Sequence, residues 1–291
     1  MAPPSRILCA IDFSTLGDGA LSVARKLAEV FEVPLSIAHV YETPWYAYPD
    51  IEVGGYVGAG DPSAVEGWFR EKAGRLLETR LADLGEGAKG DVLEGSPIHR
   101  VLRDHAAAIG ANLIVVGTHG RSAPGRYLLG SVAETLVRSA GVPLLVVPEG
   151  AASKFLGSQR VLCATDFSEP SEDGQRQAAA YAHALHGTLD LLHIEASEPG
   201  DAHRHESERL LGYEAQNLRN KYPGLEVHTH VRYGEPSSTI AEHATDHGTG
   251  MIVLGTRGTT GLARVLIGSV TDRVIRKATV PVLAIPPKPA G

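Results

Sequence analysis

The sequence predicts an α/β protein built from two tandem domains, each a five-stranded parallel sheet of order 3-2-1-4-5 with helices on both faces. Two self-matches and one alternation carry that expectation. "RILCAIDFS" from Arg6 matches "RVLCATDFS" from Arg160 at seven of nine positions, and Gly117 to Pro148 aligns without gaps to Gly255 to Pro286 with fourteen identities in 32. A unit written twice folds twice. Within each copy, strand-sized β-rich apolar runs alternate with helix-length segments whose apolar residues recur every 3.6 positions, the pattern of a parallel sheet with crossover helices.

In the first copy the pattern places a strand at 6–11, a helix at 17–31, a strand at 34–41, a helix at 63–84 and a strand at 89–94. A helix at 98–109, a strand at 112–117, a helix at 131–140 and a strand at 142–147 complete it. "LIVVG" at the fourth strand is almost wholly apolar, as a central strand buried on both faces must be. The second copy repeats the series as strand 160–165, helix 171–186, strand 188–195, helix 203–221 and strand 226–232. It ends with helix 237–247, strand 251–255 ("MIVLG"), helix 269–277 and strand 280–285. "EGAASKFLGS", Glu149 to Ser158, is polar and small after Pro148 and is expected to be a connector, giving domains 1–150 and 151–291. The repeat period is 154 residues at Asp12/Asp166 and His39/His193 but 138 at Gly117/Gly255. The first copy therefore carries a net sixteen extra residues, within about 42–62. That insertion holds Trp45, Tyr46, Tyr48 and Tyr56, suited equally to a lid, a partner surface or packing over the sheet edge.

Bulk properties exclude several functions. At 291 residues and 43% hydrophobic content the chain can bury two cores. Net charge is −7, with 13 basic against 18 acidic residues before residue 152 and 14 against 16 after it, so neither copy offers a duplex a basic face. No nucleic-acid partner is expected. The longest apolar runs fall short of the roughly 18 residues of a membrane span, and "MAPPSRILCAID" lacks a signal-peptide core, so the expectation is a cytoplasmic protein without a membrane partner. Cys9 and Cys163 occupy matching places in apolar strands and read as buried filler.

A doubly wound sheet binds ligands beyond the carboxyl ends of its strands, where strand order reverses. In a flavodoxin-like order that crevice lies between strands 1 and 4. Asp12 ends the first strand and Gly117 the fourth, so "IDFS" and "GTHGRSAPGRYLLGS" face each other there; "TDFS" and "GTRGTTGLARVLIGS" do the same in the second copy. Gly117 and Gly120 let backbone approach a phosphate, and Gly130 and Ser131 open a helix whose unpaired N–H groups make an anion site. A second explanation needs no ligand: "SVAE" and "SVTD" fit a capping box in which Ser131 and Ser269 cap their helices. The two roles are compatible. Asp12 and Asp166 can accept a hydrogen bond from adenine's exocyclic amine, where guanine's carbonyl would repel them; the alternative is local capping, a role open also to Ser14 and Ser168. Arg126 and Arg264 are repeat-matched and fit either phosphate pairing or a solvated loop. His119 is replaced by Arg257, which argues against an acid–base role.

No phosphate loop of the G-x-x-x-x-G-K-[ST] kind, no G-x-G-x-x-G after the first strand, no G-x-S-x-G and no C-x-x-C occur. "HRH" at His203 to His205 and "HTH" at His228 to His230 do not recur in the first copy, so no metal site built from the chain's own residues is expected, and no catalytic residue either.

With Asp12, the spacing G-x2-G-x9-G-S and the tandem architecture together, the chain resembles a tandem universal stress protein of the ATP-binding branch, over nearly all of both copies. The resemblance implies the adenine nucleotide alpha hydrolase-like form of the fold. It implies ATP, or alternatively AMP or ADP, with Mg2+ bridging phosphates. Carried across by motif, the nucleotide contacts are Ala10, Asp12, Val40, Gly117, His119, Gly120, Arg121, Gly130, Ser131 and Val132. In the second copy they are Ala164, Asp166, Ile194, Gly255, Arg257, Gly258, Thr259, Gly268, Ser269 and Val270. Thr259 stands where the first copy has Arg121, so phosphate contacts there differ. Family members pair through the last strand, which implies an internal pseudo-dimer through "VPLLVVP" and "VPVLAIP" and permits a homodimer of whole chains. The expected function is an ATP-binding, stress-responsive regulatory module acting on a protein partner. The alternatives are a slow ATPase or other nucleotide-processing enzyme, disfavoured because H-x-G-H and S-G-G-x-D-S are absent, and a ligand-free dimerisation scaffold.

Overall fold

The structure, a computed structural model, describes residues 3–42, 62–84, 87–118, 129–195, 201–256 and 268–287. The first half runs β1 (Ile7–Ala10), α1 (Thr15–Phe31), β2 (Leu35–Tyr41), α2 (Pro62–Leu84), β3 (Lys89–Glu94), α3 (Ile98–Ile109), β4 (Leu113–Gly117), α4 (Ser131–Ser139) and β5 (Leu144–Val147). After α5 (Ala151–Gly157) the second half runs β6 (Arg160–Thr165), α6 (Glu169–Ala184), β7 (Thr188–Glu195), α7 (Asp201–Lys221), β8 (Glu226–Tyr233), α8 (Pro236–Asp246), β9 (Met251–Gly255), α9 (Ser269–Lys277) and β10 (Val282–Ile285). The insertion's four aromatic residues lie outside the described residues.

Each half has the expected order, but the two sheets are one. Among the described residues ten strands lie side by side as β3-β2-β1-β4-β5-β10-β9-β6-β7-β8. All pairings are parallel except the central one, where β5 and β10 run antiparallel with Leu145 opposite Leu283. Ending each half on a short, fully buried apolar strand ("LLVV", "VLAI") leaves an edge that would template aggregation, and pairing the two edges removes it. The halves thus meet through their last strands.

Alternate residues feed two cores. Ile7, Cys9, Leu113, Val115, Leu145 and Val147 point to one face, into a core lined by α1, α2 and α5 and continued under α6 and α7 in the second half. Leu8, Ile114, Val116, Leu144 and Val146 point to the other, beneath α3, α4, α8 and α9. Strand alternation with period two is what sorts them. Cys9 and Cys163 are free and fully buried, and burial pushes both thiols well above their ordinary range, consistent with packing and not reactivity.

The connector differs from expectation. Residues 151–157 form a helix because Ala151 and Phe155 sit one turn apart and both bury into the first core. Gly150 starts that helix at φ 71°, a left-handed conformation glycine adopts without strain. Apolar spacing outweighed the small, polar composition.

Candidate functional site

At the carboxyl end of β1 the chain turns sharply: Phe13 has φ 59°, and Phe167 after β6 also has φ 59°. Such values are costly for a bulky residue and persist only where the surroundings enforce them. The enforcement is visible and doubled. His39 on β2 donates Nδ1–H to the Ile11 carbonyl at 2.8 Å and packs its ring 4.4 Å from Phe13; His193 on β7 does the same to Thr165 at 2.9 Å and to Phe167 at 4.3 Å.

The turn presents Asp12. Its Oδ1 accepts the Ser14 N–H at 3.1 Å and the Ser14 hydroxyl, while Ser14 caps α1 by accepting Gly17 N–H at 3.2 Å. Its Oδ2 is buried and has no hydrogen-bond partner among the described residues. Asp166 repeats the contacts to the Ser168 N–H, at 3.1 Å, and hydroxyl, and Ser168 caps α6. The serines therefore cap, as one reading of "DFS" expected, and the aspartates hold them.

Opposite lies the start of α4. Its N-cap is Gly130, with no side-chain cap, so Ser131 is the first helical residue and the capping-box explanation of Ser131 fails. Gly268 and Ser269 stand likewise before α9. The physical reason is local: Gly130 N–H donates to Thr118 O at 2.7 Å, and Gly268 N–H to Thr256 O at 2.7 Å. That bond places the cap one residue before the serine and leaves the first-turn N–H groups without a side-chain cap among the described residues. The positive end of the helix dipole meets the cleft there.

Between these walls is a cleft of about 500 Å³, within the usual size range of small-molecule sites, roughly 300–1,000 Å³. Ala10, Asp12, Val40, Gly117, Gly130, Ser131 and Val132 all line it. The second half has a matching cleft of about 310 Å³ lined by Ala164, Asp166, Ile194, Gly255, Gly268, Ser269 and Val270. His119, Gly120, Arg121, Arg257, Gly258 and Thr259, with Arg126 and Arg264, lie outside the described residues. Sequence reasoning missed Gly17, Ile98, Leu102 and Glu42 in the first cleft. The i,i+4 spacing of Ile98 and Leu102 on α3 was the available signal for the apolar wall; Glu42, at the end of β2, had none.

The clefts differ in chemistry. Thr165, Ser171 and Thr271 in the second replace Ile11, Gly17 and Ala133 in the first. Thr165 and Ser171 hydroxyls lie 3.0 Å apart, Gln175 donates to Thr165 at 2.9 Å, and Thr271 donates to Gly255 O at 2.8 Å. Ser171 places a hydroxymethyl where Gly17 has a hydrogen. The second cleft is the smaller and the more internally satisfied.

Comparison with known proteins agrees with the repeat. A model of the universal stress protein family matches residues 4–148 and again 157–286. The chain is 27% identical over 292 residues to a universal stress protein of Mycolicibacterium smegmatis, covering 97% of each. It is 27% identical over 297 residues to one of Mycobacterium tuberculosis, covering 95% of each. Among solved structures it is similar to a universal stress protein from Archaeoglobus fulgidus, with a TM-score of 0.69 and 21% identity, covering 97% of this chain and 96% of that one.

Proposed function

Because the chain belongs to the universal stress protein family, we propose that it is an ATP-binding stress-response regulator holding adenine nucleotides in its two clefts. Adenine lies toward Asp12 or Asp166, and the phosphates lie at the glycine-capped starts of α4 or α9. The observation that carries this reading is the Asp12 carboxylate: one oxygen is bound to Ser14, the other is buried without a hydrogen-bond partner among the described residues, and Asp12 lines the same cleft as Gly130 and Ser131. An acceptor left unpaired inside a protein costs about 1–3 kcal/mol, and a ligand amine would recover it.

The remaining lining suits the same ligand. Ala10, Val40, Ile98 and Leu102 give an apolar slot for a flat base. For Mg2+, the described residues at the α4 mouth supply the Thr118 and Ser131 hydroxyls, and Mg2+ binds mainly through phosphate oxygens and water with few protein ligands. The donor set fits an ion held chiefly by the nucleotide, neutralising its phosphates. The role of each cleft in this reading is occupancy, and occupancy alters what a protein partner or a second copy of the chain meets.

Thermal unfolding with millimolar ATP and magnesium tests the proposal. Ligand at a hundred times its dissociation constant stabilises by about 2.7 kcal/mol per site. A rise in Tm that disappears in the Asp12→Ala/Asp166→Ala double variant supports it. No rise in the wild type, or the same rise in the double variant, overturns it.

A further inference from the structure

The second half contains a cluster that its cleft does not use. His230 on β8, His243 on α8 and His247 at the end of α8 bring one ring nitrogen each within 4.8 Å of one another. We propose that these three imidazoles bind one zinc-class divalent transition-metal ion.

Geometry carries the assignment. His243 is fully buried, and among the described residues neither of its ring nitrogens has a hydrogen-bond partner; Nε2 of His230 is also buried without one. Buried polar atoms of native proteins are nearly always satisfied, so three orphaned nitrogens in one place point to a missing electrophile. His247 donates Nδ1–H to the His243 carbonyl at 3.0 Å, which fixes its tautomer and leaves Nε2 with a lone pair, the arrangement usual for metal-bound histidine. The fully buried Asp190 lies 3.8 Å from Nε2 of His230 and 4.0 Å from Nε2 of His243. These gaps are too long for hydrogen bonds. Two donors sharing a tetrahedral zinc with bonds of about 2.0–2.1 Å are separated by ~3.3 Å. The three imidazole nitrogens lie within 4.8 Å of one another and the His243 and His247 rings stack 3.9 Å apart, so the rings must turn for all three to reach one ion. Asp190 is meanwhile held by Arg160, whose Nη1 lies 3.0 Å from both carboxylate oxygens.

A metal-binding imidazole must offer a neutral ring nitrogen, so ion binding by the trio should weaken in acid. Imidazole ligands select zinc, cobalt, nickel or copper over magnesium or calcium.

The first half serves as an internal control. In the positions of His230, His243, His247 and Asp190 it carries Asp91, His105, Ile109 and Ser36, and His105 Nε2 simply faces Asp91 Oδ2 at 3.4 Å. Among the described residues that nitrogen is likewise buried without a hydrogen-bond partner, but one imidazole facing one carboxylate is all the first copy assembles there, so the trio is an addition to the second copy. The histidine pair visible in sequence, His228 and His230, is split by the structure: His228 faces Glu226 at 3.1 Å instead. Helix α8 also lends Pro236 and Ile240 to the second cleft, so an ion at His243 and His247 would brace one wall of it.

The test uses the full chain without nucleotide, stripped with chelator and titrated with zinc chloride by calorimetry and with cobalt chloride by visible spectroscopy. The expected result is one equivalent per chain and a low-symmetry cobalt spectrum. Affinity should fall more than about tenfold in His243→Gln and in His247→Gln and stay unchanged in His105→Gln. His247 is half-buried, so His247→Gln keeps the test decisive if His243→Gln misfolds. Absence of stoichiometric binding by the wild type, or wild-type affinity in His247→Gln with its fold verified by circular dichroism, overturns the proposal.

Discussion

A β-carbon at Gly17 would lie 2.8 Å from Oδ1 of Asp12. Side chain and helix turn are therefore matched: the carboxylate occupies the space that a first-turn residue of α1 would otherwise fill. Gly17→Ala should leave thermal stability unchanged or slightly raised, since alanine favours helix by up to about 1 kcal/mol. It should nevertheless weaken ATP binding at the first cleft by about tenfold, because the carboxylate must shift. Calorimetry beside a melting curve separates the two effects, and undiminished affinity would show that Asp12 does not set the base site.

Two serines that look alike in sequence should behave differently. Ser14 caps α1 and donates to Asp12, so Ser14→Ala should cost about 1 kcal/mol. Ser131 caps nothing, so Ser131→Ala should stay within about 0.5 kcal/mol. Urea midpoints compare them directly, and equal losses would restore the capping box.

Asp190 ties stability to pH. Its burial raises its pKa, but the contacts with His230 and Arg160 outweigh that and hold the carboxyl below its usual range. A folded pKa below the unfolded one, about 3.9, contributes stability that is present above that value and is lost as pH falls through the folded pKa. In chelator, Arg160→Leu should strand the buried carboxylate and cost about 3 kcal/mol at pH 7. The deficit relative to wild type should shrink in acid. A pH-independent deficit would mean that Arg160 acts by packing alone.

Much of this was legible because the chain states it twice. Strand and helix spans followed from periodicity within a few residues, and Asp12, Gly117 and Gly130 converge because strand order places their loops at one crevice. What escaped was tertiary. The capping box at Ser131 looked complete, yet a main-chain bond from Gly130 to Thr118 moved the cap by one residue. The connector read as a linker until Phe155 found a core to enter. His243 and His247 stand four residues apart on one face of α8, but His230 lies thirteen residues earlier, and only the packing of α8 on β8 adds it to them. The i,i+4 pair is a local pattern; the arrival of His230 is not.

The most direct measurement of the central claim is the affinity of the wild-type chain for ATP and for GTP, titrated side by side in magnesium. If an aspartate at the strand end reads the base, ATP binds at least about tenfold more tightly, a difference of roughly 1.4 kcal/mol, and Asp12→Ala/Asp166→Ala abolishes that preference. Equal affinities for the two nucleotides, or no measurable ATP binding, would contradict the account.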